Sequence, residues 1–223
     1  MDKAVSGAMI SKYRNAGQTC VCTNRILVQH KIYDEFVSKF KSECEKLVIG
    51  DGQKETTTIG PLIDSNAAED VKSLIEDAKI KGARVELGGD SCDLGDNFIN
   101  PTILSNINTS MRVFNEEIFG PVAPIIKFET ENEAIELANQ TDFGLAAYFY
   151  SRDIGRVYRV SEKLEFGIIG VNEGIISNEM APFGGIKESG NGREGSKYGL
   201  DDYLEIKYVL SLIHISEPTR PNT

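Results

Sequence analysis

Two incompatible periods take turns along this chain, and their alternation limits its fold more than any other feature. Tyr33, Phe36, Val37, Phe40, Cys44 and Leu47 recur at steps of three and four, the spacing of one apolar helix face. Just before them, Arg25-Ile26-Leu27-Val28-Gln29 has the short apolar, β-branched character of a strand. The exchange repeats. Val71, Leu74, Ile75 and Ala78 mark a helix, followed by a strand at 83–87. A strand at 123–128, a helix at 131–139, a strand at 146–150, a helix at 154–164 and a strand at 167–171 then succeed one another. Residues 2–13 read as a first helix with Val5, Met9 and Tyr13 on one face, and residues 203–209 as a last strand. Phe98-Ile99 and Thr102-Ile103-Leu104 are expected to be extended on either side of Pro101. Pro124 is expected near the start of its strand, where a missing donor costs least. Such alternation predicts an α/β fold with a largely parallel sheet and flanking helices.

The 223 residues suffice for one sizeable domain, or one domain and an arm. With 24 basic against 34 acidic residues and no basic cluster, the chain is a poor partner for a phosphate backbone. Nucleic acid is therefore not expected. No apolar run approaches the roughly 18 residues of a membrane span, and the first twenty residues lack the pattern of a secretory signal. A cytoplasmic or mitochondrial-matrix protein is expected, with no membrane partner. Four cysteines, Cys20, Cys22, Cys44 and Cys92, are too few for a disulfide scaffold and point to free thiols. Nor do they make a metal site: Cys20-x-Cys22 has the wrong gap for a zinc knuckle, and no second pair follows. A Cys-His hydrolase needs a paired imidazole. Of the two histidines, His30 reads as the end of a strand and His214 lies in the tail.

Cys20 is the candidate nucleophile. A thiolate with an ordinary pKa of about 8.5 is scarce at neutral pH, so such a group needs a base, a helix terminus or backbone amides to assist it. Ala16, Gly17 and Thr19 leave its approach open, although a cysteine in an ordinary turn has the same neighbours.

The longer run Arg14-Asn15-Ala16-Gly17-Gln18-Thr19-Cys20-Val21-Cys22-Thr23-Asn24-Arg25 resembles the nucleophile segment of the aldehyde dehydrogenase superfamily. Its Cys-x-Cys pair is similar to the succinate-semialdehyde dehydrogenase branch. Glu116-Glu117-Ile118-Phe119-Gly120-Pro121 resembles that family's Glu-x-Phe-Gly-Pro signature. Gly144-Leu145, Pro182-Phe183-Gly184-Gly185-Ile186-Lys187-Glu188-Ser189-Gly190 and Gly192-Arg193-Glu194-Gly195 match further segments in the same order. The resemblance covers residues 1 to about 209.

It implies oxidation of an aldehyde to an acid through a thioester on Cys20, with NAD or NADP as cofactor and a homo-oligomer when the protein is full length. The carboxylate of Glu117 would accept hydrogen bonds from the nicotinamide ribose, and Phe119 would lie beside the nicotinamide ring. Arg14 and Ser177 would hold the carboxylate of a small aldehyde substrate, and Phe183 would join the substrate-binding residues. A surface arginine closing a helix and an idle loop serine are the plainer alternatives. Cys22 admits two readings, a reversible redox partner of Cys20 or a small hydrophobe beneath the site. The family's dinucleotide-binding domain, general base and oxyanion asparagine match positions upstream of Met1, so this polypeptide alone is expected to lack turnover. The alternative is a non-catalytic interaction module that assembles with intact subunits. The expected organisation is a catalytic domain over 1–190, a returning segment and oligomerisation strand over 191–209, and a non-native tail over 210–223, which resembles adapter or vector read-through.

Overall fold

The computed structural model describes residues 1–90 and 92–212, so His214 and residues 213–223 of the tail lie outside the described residues. Strands β1 (Ile26–Gln29), β2 (Arg84–Leu87), β3 (Thr102–Ser105) and β4 (Val122–Phe128) form one sheet in the order β1-β4-β3-β2. β4 runs parallel to both neighbours, with Ile26 opposite Ile125 and Thr102 opposite Val122, while β2 joins the edge antiparallel. All four residues of β3 are buried, as expected of a strand covered on both faces. Pro124 sits inside β4 at a hand-over between partners. It makes the last register pair with β3, opposite Leu104, and precedes the first with β1.

Helices α1 (Asp2–Tyr13) and α2 (Tyr33–Cys44) pack together on this sheet. The predicted α2 stripe is buried at Phe36, Val37, Phe40 and Cys44, and the Phe40 ring stacks on Tyr13 and Phe36. Tyr33 donates its hydroxyl to the Ile125 carbonyl (3.1 Å), so a polar tip in the core is satisfied by backbone. Helix α3 (Ser65–Ile80) begins earlier than its apolar period suggested, because Asp64 accepts from the Ala67 amide (2.8 Å) and caps it. A single turn, α4 (Arg112–Asn115), leads to β4. Helix α5 (Glu131–Asn139) is capped at its far end by Arg25, whose guanidinium donates to the carbonyls of Leu137, Ala138 and Gln140. The same guanidinium lies 4.9 Å from the centroid of Phe114.

Downstream, β5 (Phe143–Gly144) pairs antiparallel with β8 (Ile186–Lys187). β6 (Ala146–Phe149) crosses over through α6 (Ile154–Lys163) to the parallel β7 (Ile168–Val171). The expected last strand at 203–209 is not one. Lys197–Tyr203 is a 3-10 helix, and the following residues pair with no sheet among the described residues. Leu204 has extended backbone, yet Leu204, Ile206, Tyr208 and Val209 are exposed. A period of two becomes a strand only by pairing with an edge, and residues 204–209 pair with none among the described residues.

Candidate active site

The nucleophile turn begins where α1 stops. Arg14–Gly17 forms a 3-10 turn in which Asn15, Ala16 and Gly17 all have positive φ, at 52°, 55° and 80°. Three left-handed residues in succession reverse the chain. Gly17 has a further reason to lack a side chain: a Cβ there would come within 2.2 Å of the Gly120 carbonyl oxygen. Gln18 locks the reversal, donating to the Asn15 and Pro61 carbonyls and accepting from the Ile63 amide (2.9 Å). A tight turn follows, with the Cys22 amide donating to the Thr19 carbonyl. Thr23 then ties the chain back to α1 through Ser11, main chain to main chain and hydroxyl to hydroxyl (2.8 Å). Cys20 stands exposed at the tip, and Cys22 is half-buried with its Sγ 3.7 Å from the Arg14 carbonyl oxygen.

The second wall is the segment 116–121. Gly17 packs against Gly120, and Asn24 grips both sides of Glu117 by donating to the Glu116 carbonyl (2.8 Å) and accepting from the Ile118 amide (2.9 Å). This amide fork and the glycine contact hold the Cys20 turn beside Glu117. The two adjacent carboxylates have different duties. Glu116 is gripped at both oxygens by Arg112 (2.7 and 2.8 Å), which keeps it below its ordinary range. Glu117 is exposed and makes no ion pair among the described residues. Phe119 adopts φ 47°, costly for an aromatic residue, and its ring is 44% exposed.

Three other side chains complete the surroundings. Arg14 is half-buried, and its guanidinium makes no hydrogen bond or ion pair among the described residues. Tyr148, from β6, donates to the Val21 carbonyl (2.8 Å); burial raises its phenol well above the ordinary value, against the opposing pull of nearby Arg14. Lys12 is 1% exposed, and burial pulls its ammonium down to about 8 although Cys22 and Glu117 stand near enough to oppose the shift. Neither Tyr148 nor Lys12 was singled out from the sequence. Tyr148 hid in an ordinary strand, but Lys12 left a signal, since it occupies the buried position of the stripe begun by Val5 and Met9.

Ser177 is exposed in the loop after β7. Phe183 is bridged to Glu194 and lines a cavity of about 600 Å³ with Arg193 and Asp202, which neither Cys20, Arg14, Glu117 nor Ser177 borders. No group of metal-ligating side chains occurs among the described residues, and no helix there is long and apolar enough to cross a membrane.

The description "Aldehyde dehydrogenase family" matches residues 1–209. The chain belongs to the aldehyde dehydrogenase family. It is 58% identical over 209 residues to the succinate-semialdehyde dehydrogenase [NADP(+)] GabD of Escherichia coli, covering 94% of this chain and 43% of that protein. A glutarate-semialdehyde dehydrogenase of Pseudomonas putida is 57% identical with the same coverage. Among solved structures, a succinate-semialdehyde dehydrogenase from Burkholderia pseudomallei superimposes with a TM-score of 0.92 at 55% identity, covering 93% of this chain and 43% of that one. A betaine aldehyde dehydrogenase of Staphylococcus aureus in complex with NAD+ gives a TM-score of 0.86 at 40% identity, covering 91% and 41%. The chain thus spans less than half the length of these relatives. Within this aldehyde dehydrogenase segment, Glu117 offers an exposed carboxylate that can accept from a diol, and Phe119 an exposed apolar ring two residues on.

Proposed function

We propose that this segment supplies the nucleophile, part of the cofactor site and part of the substrate site of an NAD(P)-dependent aldehyde dehydrogenase that oxidises a carboxylate-bearing aldehyde, with succinate semialdehyde as the best candidate. The observation that carries this reading is the clamp described above, in which Gly17 against Gly120 and the Asn24 fork hold the turn that bears exposed Cys20 against the segment that bears Glu117. The Cys20 thiolate would add to the aldehyde carbon, forming a C–S bond, and loss of hydride from that carbon would leave a thioester for water to cleave. When bound, the nicotinamide supplies the hydride acceptor. Glu117 would hold its ribose and Phe119 would face its ring.

The free guanidinium of Arg14 supports an anionic substrate. Its planar fork matches a carboxylate, and no carboxylate of the described chain occupies it. Ser177 would add a hydroxyl donor, and Phe183, which lines a separate cavity, would join the substrate-binding residues. Cys22 stands near Cys20 in sequence and turn, which supports a reversible disulfide under oxidation. We take turnover to belong to the longer protein, in a homo-oligomer. The exposed apolar run after Tyr203 favours the second reading, an interaction module without catalysis.

Substitution of Arg14 in the longer protein tests the assignment. Arg14→Ala removes a charge-assisted contact of about 1.5–3 kcal/mol, roughly ten- to more than hundredfold in kcat/KM. The loss is expected for succinate semialdehyde and not for butanal, and Arg14→Lys recovers only part of it. Equal losses on both aldehydes would assign Arg14 to the fold of the turn and leave the substrate open. An inactive longer protein, with Cys20→Ala as control, would favour the interaction module.

A further inference from the structure

Tyr148 has no part in the chemistry above, yet it reaches into the centre of the nucleophile turn. Its hydroxyl donates to the carbonyl of Val21, the residue between Cys20 and Cys22, across 127 positions of sequence. Val21 is only 4% exposed, so its carbonyl needs this partner. The ring is seated where it cannot drift. Tyr148 lies opposite Gly170 in the β6–β7 pair, and a Cβ at Gly170 would come 2.9 Å from the tyrosine ring and 2.7 Å from Ile176. Ring, glycine and Ile176 thus form one packed stack, and Ser177 is the next residue.

The other bonds that shape the turn come from within it, from the end of α1, or through Gln18 and Asn24 from the 61–63 and 116–118 segments, none of which belongs to β6–β7. The phenol is the link from Val21 to β6–β7, the unit that carries the Ser177 loop. Burial keeps it protonated and hence a donor.

We propose that Tyr148 is a positioning residue, whose hydroxyl registers the Cys20 turn against the β6–β7 unit so that nucleophile and Ser177 loop keep a fixed separation. This rests on the reading of Cys20 as nucleophile. Tyr148→Phe keeps the ring over Gly170 and deletes only the donor, which separates the bond from the packing.

The experiment is limiting iodoacetamide labelling of the 223-residue chain at neutral pH, with each thiol read by mass spectrometry. In Y148F the turn is released and half-buried Cys22 gains access, so the ratio of Cys20 to Cys22 labelling is expected to fall at least about threefold, with Cys44 unchanged as the folding control. A ratio equal to the parent's, with Cys20 still the fastest thiol, overturns the proposal and leaves the nucleophile reading standing. A parent in which Cys20 is not the fastest thiol overturns that reading, and the proposal with it. Should Y148F expose Cys44, the longer protein decides: a larger loss of kcat/KM on succinate semialdehyde than on butanal supports the positioning role. Equal losses overturn it.

Discussion

Lys12→Met should make this protein more stable at neutral pH, although it removes a side chain from the edge of the active site. Lys12 is 1% exposed, and burial lowers its ammonium from 10.5 to about 8. That difference corresponds to about 3 kcal/mol by which the folded chain disfavours the charged form. The sign follows from proton counting. Between about 8 and 10.5 the unfolded chain holds a proton that the folded chain has released, so stability rises with pH across that window. Below about 8 the lysine is charged in both states and the cost is full. Methionine fills a similar volume without charge, so the variant should exceed the parent by up to about 3 kcal/mol at pH 7. Loss of the positive charge facing Cys22 and Glu117 trims that figure. The gap should close as pH climbs from about 8 towards 10.5. Cys44, pushed by burial to about 11, and Tyr13, raised by burial, titrate in both proteins and drop out of the difference. Urea unfolding of both proteins at a series of pH values measures it, as a midpoint shift of roughly 1 M at neutral pH. A difference that does not change with pH would refute the buried-charge argument, whatever its size.

Cys20 should be the fastest-alkylated thiol of the folded chain, with Cys44 at least about tenfold slower because its thiol is buried and pushed to about 11; mass-spectrometric mapping after limiting iodoacetamide checks both. Gly17→Ala should destabilise by at least about 2 kcal/mol, since φ is 80° and the new Cβ would meet the Gly120 carbonyl at 2.2 Å; urea unfolding reads the loss, and Cys20 labelling reads the displaced turn. The 1–223 polypeptide alone should show no NAD(P)-dependent oxidation of succinate semialdehyde in a steady-state absorbance assay, because it spans 43% of the GabD relative.

The sequence was most legible where one period ran long enough to be counted. The α2 stripe, the β1 run and the β6–α6–β7 crossover all lie where their patterns placed them. The single turn α4 and the two-residue strands β5 and β8 fall below any period and were invisible. Residues 203–209 carried a strand pattern without forming one, because pairing depends on a partner that a local pattern cannot supply. At the site, motif resemblance singled out Cys20 and Glu117; the structure leaves both exposed and ties the neighbouring Glu116 to Arg112 through both carboxylate oxygens, which the motif did not indicate. Asn24 and Tyr148 act through backbone carbonyls and amides distant in sequence, and such bonds leave no trace in side-chain spacing.

The exposed row of Leu204, Ile206, Tyr208 and Val209 also governs how the polypeptide behaves in a concentrated solution. Exposed apolar side chains on a segment that pairs with no strand among the described residues are a template for any other strand they meet. Two copies colliding during refolding would find these rows complementary, at a rate that grows with concentration while intramolecular folding does not. Dilution, or charges placed on that row, should therefore improve recovery of the soluble chain without touching the turn that carries Cys20.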